Sequence, residues 1–398
     1  MSLLGWVIFV VALLFSVMLH ETGHFVAAKR FGMKVTQYFV GFGTTLWSVT
    51  RGETEYGIKV LPFGGFVKIV GMTSMDEVDP ADEPRSFRRH PAWQRLIVLF
   101  AGSFMHFVLA LVLLFLVAGV IGLQYSSQAT GQLGVGSCVP ISKQAYLNNS
   151  CAGSSTPAPA QVAGMKPGDK IVSFDGKTVT SWTGLGDVIK ATPAGQRVPF
   201  VVKRDRQTLT LHVTLAKVPG VSGSYLGIEE ASFTKRYNPI RAVTYAGSTF
   251  GQVLTGSVQV IGQLPSAIPH LFAKNRASTS AGQVTSVVGA GEITGDVVSA
   301  SVGWQVKVDY VLLIMASLNI FVGAFNLLPL LPLDGGHIAV VIYEAIRSRW
   351  ARLRRRPDPG LVDMSKLVPV SMGVFAILVV FGVVLILADL VNPVKMIT

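Results

Sequence analysis

The sequence predicts a polytopic α-helical membrane protein with four transmembrane helices, interrupted by a re-entrant β-hairpin and by an inserted extracytoplasmic α+β domain. Three observations carry this. Half of the 398 residues are hydrophobic and only 14% are charged, too apolar a balance for an ordinary soluble domain. Four apolar runs are long enough to span a bilayer: Leu3 to about Ala28, Trp93 to Leu123, Tyr310 to Leu331 and Leu367 to Leu390. Between them, in 41–72 and 124–220, apolar residues alternate and are punctuated by glycine, which is a strand pattern.

The first segment, 1–34, ends its apolar run with Val17-Met-Leu-His20-Glu21-Thr-Gly-His24. In a helix, His20 and His24 share one face a turn apart, and Glu21 sits one step around from them. Two imidazoles so placed can clamp Zn²⁺, and the neighbouring carboxylate can take a proton from an attacking water. The predicted roles are therefore metal ligands for His20 and His24 and general base for Glu21. Three ionisable groups at the end of a membrane-length helix are costly to place there without a function. The plainer alternative is a helix end whose polar residues reach lipid headgroups. No basic residue precedes the run and no small-residue cleavage site follows, which argues against a signal peptide.

Residues 41–72 read as short strands around a tight turn, followed by Pro62-Phe-Gly64-Gly65-Phe66-Val67-Lys-Ile-Val-Gly71, which is too short and glycine-rich to span. A re-entrant hairpin beside the histidines is one reading, and a β-hairpin packed on the helices outside the bilayer is the other. Non-helical backbone at membrane depth persists only where protein buries it or it lines a wet cavity. The polar stretch 73–91 reads as a linker and 92–123 as the second span, in which His106 is expected to hydrogen-bond a neighbouring helix rather than bind metal. In 124–220, Asp175-Gly176 between two apolar runs signals a hairpin, followed by a helical stretch from Thr183 to Thr192 and strands Val198 to Lys203 and Thr208 to Leu215. The region 221–308 is rich in small residues. Within it, Arg241 to Leu264 has helical spacing, for a helix on the outer membrane surface or packed against the inserted domain.

The third segment, 309–337, contains Asn319 and ends Asn326-Leu-Leu-Pro329-Leu-Leu-Pro332-Leu-Asp334-Gly335-Gly336-His337. It runs in the same direction as the first span, so both deliver polar residues to the same half of the bilayer. Asp334 is thus the predicted third ligand, leaving one tetrahedral position open as catalytic Zn²⁺ requires. Asn319 and Asn326 share a helix face. Asn326 is placed to donate to a substrate carbonyl or a developing oxyanion, whereas Asn319 suits a hydrogen bond between helices. His337 is a competing ligand, less favoured because Asp-Gly-Gly already accounts for the turn. A basic loop, 338–366, and a fourth span, 367–391, follow.

The formal charge of +12 is unevenly placed. Lys29, Arg30, Lys34, Arg85, Arg88 and Arg89 lie between the first two spans, and Arg347 to Lys366 carries a second cluster between the last two. This assigns both regions to the cytoplasm, and the N terminus, the C terminus and 124–308 to the outside. The run Arg352 to Arg356 then reads as a patch on anionic lipid, and placement beside membrane spans argues against a nucleic-acid partner. Cys138 and Cys151 both fall in the outer segment, where a disulfide is allowed.

Two resemblances follow from these residues. Ala163-Gly-Met-Lys-Pro-Gly168-Asp169 with the Asp175-Gly176 hairpin resembles a PDZ domain over about Gly131 to Val218. Such domains take an extended peptide as an added strand, often with its free carboxylate; a spacer that only occludes the membrane part is the other reading. H-E-x-x-H on the first span, N-x-x-P followed by L-D-G on the third, G-G-F-V between them and the inserted PDZ-like domain together resemble the site-2 protease family. The match is to its bacterial regulator of sigma-E protease branch, across essentially the whole chain. The resemblance implies an intramembrane zinc metalloprotease of regulated intramembrane proteolysis, with Zn²⁺ on His20, His24 and Asp334 and Glu21 as general base. It implies Asn326 in substrate or oxyanion binding, and Gly64, Gly65, Phe66 and Val67 holding substrate as a strand. It also implies a bacterial cytoplasmic-membrane location, a size-filtering outer domain, and single-span substrates: anti-sigma factors already cut once, or remnant signal peptides. Many relatives read A-G-P-x-x-N in the second span, where this chain has Ala101-Gly-Ser103-Phe-Met-His106. A metal transporter and a PDZ-containing scaffold without catalysis are the competing classes. The first has no need of Glu21, and the second no need of a complete ligand set.

Overall fold

In the computed structural model, which describes residues 3–72, 76–126, 133–147, 150–230, 232–272, 285–300 and 302–392, the first apolar run forms α1 (Leu3–Arg30). It stops at Gly32, whose φ of 79° suits a residue without Cβ, and the Met33 amide donates back to the Ala28 carbonyl at 3.0 Å. β1 (Val35–Arg51) and β2 (Thr54–Ile69) follow and are each bent back on themselves. Residues 35–40 pair with 65–69 on one side and 55–58 on the other, and 45–51 pairs with the far side of 54–59. The glycine-rich stretch, expected as a hairpin of its own, is instead the 65–69 edge of this sheet, antiparallel to 35–40, which itself runs parallel to 55–58. Gly64, with φ of 106°, turns the chain back beside β1.

The sheet docks on α1 through the Tyr38 hydroxyl, 2.8 Å from Thr22 Oγ1 and donating to the Met18 carbonyl at 3.1 Å. Its β1–β2 turn is tied down by Glu53, which accepts from Lys29 at 2.5 Å and from Arg85 at 2.6 and 2.8 Å. The Arg85 guanidinium first, and then the Lys29 ammonium, hold the Glu53 carboxyl down at about 2. After the described linker, α2 (Ala92–Leu116) starts behind Pro91 and runs through a π-helical turn, Val117–Ile121, to Gly122.

Two units separate here, Met1–Ile121 with Tyr237–Ile397, and Gly122–Arg236. The second unit contains β3 (Leu123–Ser126), β4 (Leu133–Val135), α3 (Lys143–Leu147), α4 (Pro159–Val162), β5 (Lys170–Phe174), β6 (Lys177–Thr178), α5 (Trp182–Ala191), β7 (Arg197–Arg204), β8 (Gln207–Thr214), β9 (Ile228–Glu230) and β10 (Ser232–Lys235). Its main sheet is antiparallel in the order β6-β5-β7-β8, with β3–β10 and β4–β9 as separate pairs. Asp175 and Gly176 both take positive φ, 49° and 74°, in the two-residue turn that their sequence signals. The Asp205-Arg206 turn between β7 and β8 does the same with no glycine. The core behind the sheet is Phe174, Phe200, Val202, Leu185, Leu215 and Leu226. Buried Asp169 closes it, accepting twice from Arg204 at 2.7 Å and once from the Lys166 amide at 2.9 Å. Cys138 and Cys151 form a disulfide.

The chain then returns as α6 (Pro239–Leu271), α7 (Val287–Ser299), α8 (Trp304–Asn326), α9 (Asp334–Leu353) and α10 (Val368–Val391). α6 packs on α2 and α8, where Ala246 is buried with Ala110, Leu114, Ala316 and Ile320. The third span differs from its predicted bounds: it begins at Trp304 and ends at Asn326, and Asp334 opens a new helix, because Pro329 and Pro332 cannot continue the old one. The region read as a basic loop is helical as far as Leu353. Among the described residues four helices are long and apolar enough to cross a membrane, Leu3–Arg30, Ala92–Ile121, Trp304–Asn326 and Met364–Val391, which makes this a multi-pass membrane protein.

Candidate active site

α1, α2 and the start of α9 meet around His20, His24 and Asp334. His20 Nε2 lies 3.2 Å and His24 Nε2 3.4 Å from Asp334 Oδ2, and the two imidazole nitrogens are 3.1 Å apart. Among the described residues these three form the one group of His, Cys, Asp or Glu side chains that could share a metal ion. The residues fit Zn²⁺ on two grounds. Tetrahedral bonds of about 2.0 Å place ligand atoms about 3.3 Å from one another, and the three observed separations bracket that value. His24 Nδ1 donates to the Val98 carbonyl at 2.7 Å, which in the neutral ring leaves the Nε2 lone pair directed at the centre of the group, the bond that orients a metal-binding histidine. Asp334 Oδ2 is buried with no hydrogen bond among the described residues, and a cation shared with the two imidazoles would satisfy it.

Each ligand is held by local structure. Gly102 on α2 lies flat against both imidazoles: a Cβ there would meet His20 Cε1 at 2.6 Å and would also strike His24 Nε2. Gly23 brings α1 equally close to the Ala101 carbonyl. Gly335 and Gly336 lie against the backbone of Leu327, Leu328, Leu330 and Leu331, so the connection from α8 can fold under the first turn of α9 and aim Asp334 inward. The far side of α9 is pinned to α2 by a buried ion pair, Arg95 Nη1 to Glu344 Oε2 at 2.8 Å, whose other carboxylate oxygen accepts the Val362 amide at 2.8 Å. Burial of Val341 with Ala28, Val98 and Leu99 joins the same three helices.

The other predicted residues fall around this centre. Glu21 lies close enough to His20, His24 and Asp334 to interact with all three electrostatically, and it is near the Val67 amide on the 65–69 edge. Gly64, Gly65, Phe66 and Val67 run along that edge, with Gly65 against Met18 and Phe66 stacked on Phe39 at 5.6 Å. Asn326 closes α8 and His337 sits in the first turn of α9, and neither joins the ligand cluster. His106 and Asn319 bond to each other at 2.8 Å, linking α2 to α8 as expected of both. Ser16 adds α1 to this node through His106 and Asn319, and the His106 ring centroid lies 5.0 Å from that of His20.

Comparison with known proteins gives the family. The model of "Peptidase family M50" matches residues 8–356. The chain belongs to peptidase family M50. It is 35% identical to zinc metalloprotease Rip1 of Mycobacterium tuberculosis strain H37Rv, over 100% of this chain and 99% of that protein. It is 37% identical to zinc metalloprotease Rip1 of Mycolicibacterium smegmatis, over 98% of each. This M50 protein is a zinc metalloprotease that acts by intramembrane proteolysis. The sequence patterns above single out neither Gly102, which stands inside Ala101-Gly-Ser103, nor Ser16. Ser16 carried a signal, a hydroxyl one turn before His20 on the same face of an apolar helix.

Proposed function

We propose that His20, His24 and Asp334 hold the catalytic Zn²⁺ of this M50 protease, and that Glu21 is its general base. The observation that carries this is the convergence of three donor atoms at tetrahedral spacing beside a carboxylate in reach of a strand edge. Bound there, Zn²⁺ supplies Lewis acidity toward the scissile carbonyl and the attacking water. Glu21 takes the proton from that water and returns it to the leaving amine. A helical substrate shields its amides by its own hydrogen bonds and must unwind first. Pairing with the 65–69 edge, through Gly64, Gly65, Phe66 and Val67, replaces the bonds it loses and presents one peptide bond to the base. The Val67 amide lies near the carboxylate of Glu21, so the base sits beside the edge on which substrate is positioned. Asn326 donates to the developing oxyanion.

The substrates are single-span membrane proteins, anti-sigma factors after a first cut or remnant signal peptides, in the bacterial cytoplasmic membrane. The distribution of basic residues supports a site near the cytoplasmic face, with both termini and Gly122–Arg236 outside. In that outer unit, α5 and Ser224–Glu229 flank a cavity of about 670 Å³ lined by Trp182, Leu185, Ile189, Tyr225 and Ile228. A helix beside an extended segment is the arrangement by which a PDZ-like domain takes a peptide strand, and this is its role here. The test is Glu21→Gln in purified protein in nanodiscs with a single-span substrate. Cleavage should stop while zinc content is retained; retained cleavage would sink the assignment of Glu21.

A further inference from the structure

The second half of α9 has an apolar face that no described residue of its own unit covers. Ile342, Tyr343, Ile346, Trp350 and Leu353 are 43%, 56%, 61%, 57% and 78% exposed. At 3.6 residues per turn they occupy a single arc of about 100°, and Glu344, which holds the helix to Arg95, lies on the opposite side. The exposed arc therefore faces away from the protein by construction. It leads into an apolar groove of about 340 Å³ lined by Leu331, Val340, Tyr343, Leu367 and Val370, where α9 meets the start of α10.

Arginines border the arc on both sides. Arg349 and Arg352 lie along one flank, and Arg347 and Arg354 along the other, with Arg355 and Arg356 at the helix end. Arg347 and Arg354 stack on Tyr343 and Trp350, 5.5 and 4.6 Å from the ring centroids. None of these six forms an ion pair among the described residues, although Lys29, Lys34, Arg85, Arg88, Arg89 and Arg95 each have a carboxylate partner. An apolar arc between two rows of arginine, with a tryptophan in it, matches the boundary between acyl chains and negatively charged headgroups.

We propose that α9 from Ile342 to Leu353 lies in the plane of the membrane–water interface, its apolar arc among acyl chains and its arginines on anionic phospholipid headgroups. Asp334 is the first residue of this helix, so the lipid contact and the buried Arg95–Glu344 pair hold opposite faces of the element that carries it. This goes beyond the proteolytic reading and is tested without it. The full chain is placed in nanodiscs of phosphatidylcholine with or without phosphatidylglycerol, and hydrogen exchange of residues 341–356 is followed by mass spectrometry. Adding phosphatidylglycerol should slow exchange in the wild type by about tenfold or more, at about fivefold per engaged arginine. The variant Arg349→Gln/Arg352→Gln/Arg355→Gln should lose that response, and the matching triple lysine variant, which keeps the charge, should retain it. Equal exchange in the two lipids, or protection by added RNA in place of phosphatidylglycerol, would overturn the proposal.

Discussion

Replacing Gly102 with alanine tests whether the closeness of α1 and α2 makes the metal site. The new methyl carbon would lie 2.6 Å from His20 Cε1 and 2.7 Å from His20 Nε2, against an ordinary contact of about 3.5 to 4.0 Å. One partner must therefore move by about 1 Å, where metal ligands tolerate displacements of about 0.2 Å. The helices cannot part to absorb this without losing the approach of Gly23 to the Ala101 carbonyl, and His24 is tethered to the Val98 carbonyl on the same α2. Overpacking of this kind costs about 1–3 kcal/mol, which a protein of this size survives. Displacing reacting groups by about 1 Å lowers the rate on the order of 10²-fold. The assay is zinc stoichiometry by mass spectrometry, together with the initial rate on a single-span substrate in nanodiscs. Gly373→Ala in α10, where a Cβ meets nothing within 4 Å, is the control. If Gly102→Ala keeps both zinc and rate within about twofold of the wild type, the glycine is not shaping the site and the argument fails.

Four further outcomes are expected. Glu21→Gln should lower turnover by about 10²–10⁴-fold with zinc retained, measured on the same substrate. Arg95→Leu or Glu344→Gln alone should cost about 3–5 kcal/mol by strict loss of a buried partner, while Arg95→Met/Glu344→Leu should recover most of it in thermal unfolding. Burial pushes the Asp169 carboxyl up from its ordinary 3.8, but the Arg204 and Lys166 bonds outweigh this and hold it below that value. Its stabilisation is thus present above the unfolded pKa and lost as pH falls toward the folded one. Hydrogen exchange of β5 and β7 should accelerate below about pH 4, and Asp169→Asn should abolish that step. Cys138→Ser/Cys151→Ser, which opens a loop of 13 residues' separation, should destabilise the second unit by about 3 kcal/mol in the same exchange experiment.

The convergence of His20, His24 and Asp334, the proposed ligand set, was legible because its chemistry is written in residue types. Two histidines one turn apart need a third donor, and Asp334 was the acidic side chain at matching depth on a span of the same direction. Helix bounds were less legible where proline intervened. Apolar leucines continue through 327–333, so hydropathy carries the third span past Asn326, while Pro329 and Pro332 forbid the helix that hydropathy alone would draw. The sheet was misread for a related reason. Strand alternation gives the pairs within a hairpin, but the return of 65–69 to the open side of 35–40 is a pairing between distant segments that alternation does not encode.

Residues that act by lacking atoms are harder to read: the Gly335-Gly336 turn shows in the sequence, but the close packing at Gly23 and Gly102 does not. Gly23, Gly102, Gly335 and Gly336 contribute no ligand, charge or hydrogen bond from a side chain, yet each marks a backbone approach that a methyl group would block. Three of the four bear directly on the proposed ligands: Gly102 on the two imidazoles, and Gly335 and Gly336 on Asp334. A metal site built across helices far apart in sequence has no local loop to fix its spacing, so the spacing must come from how closely the helices are allowed to pack. The tetrahedral separations found among His20, His24 and Asp334 are then a consequence of helix–helix distance, and the glycines set that distance as directly as the ligands set the choice of metal.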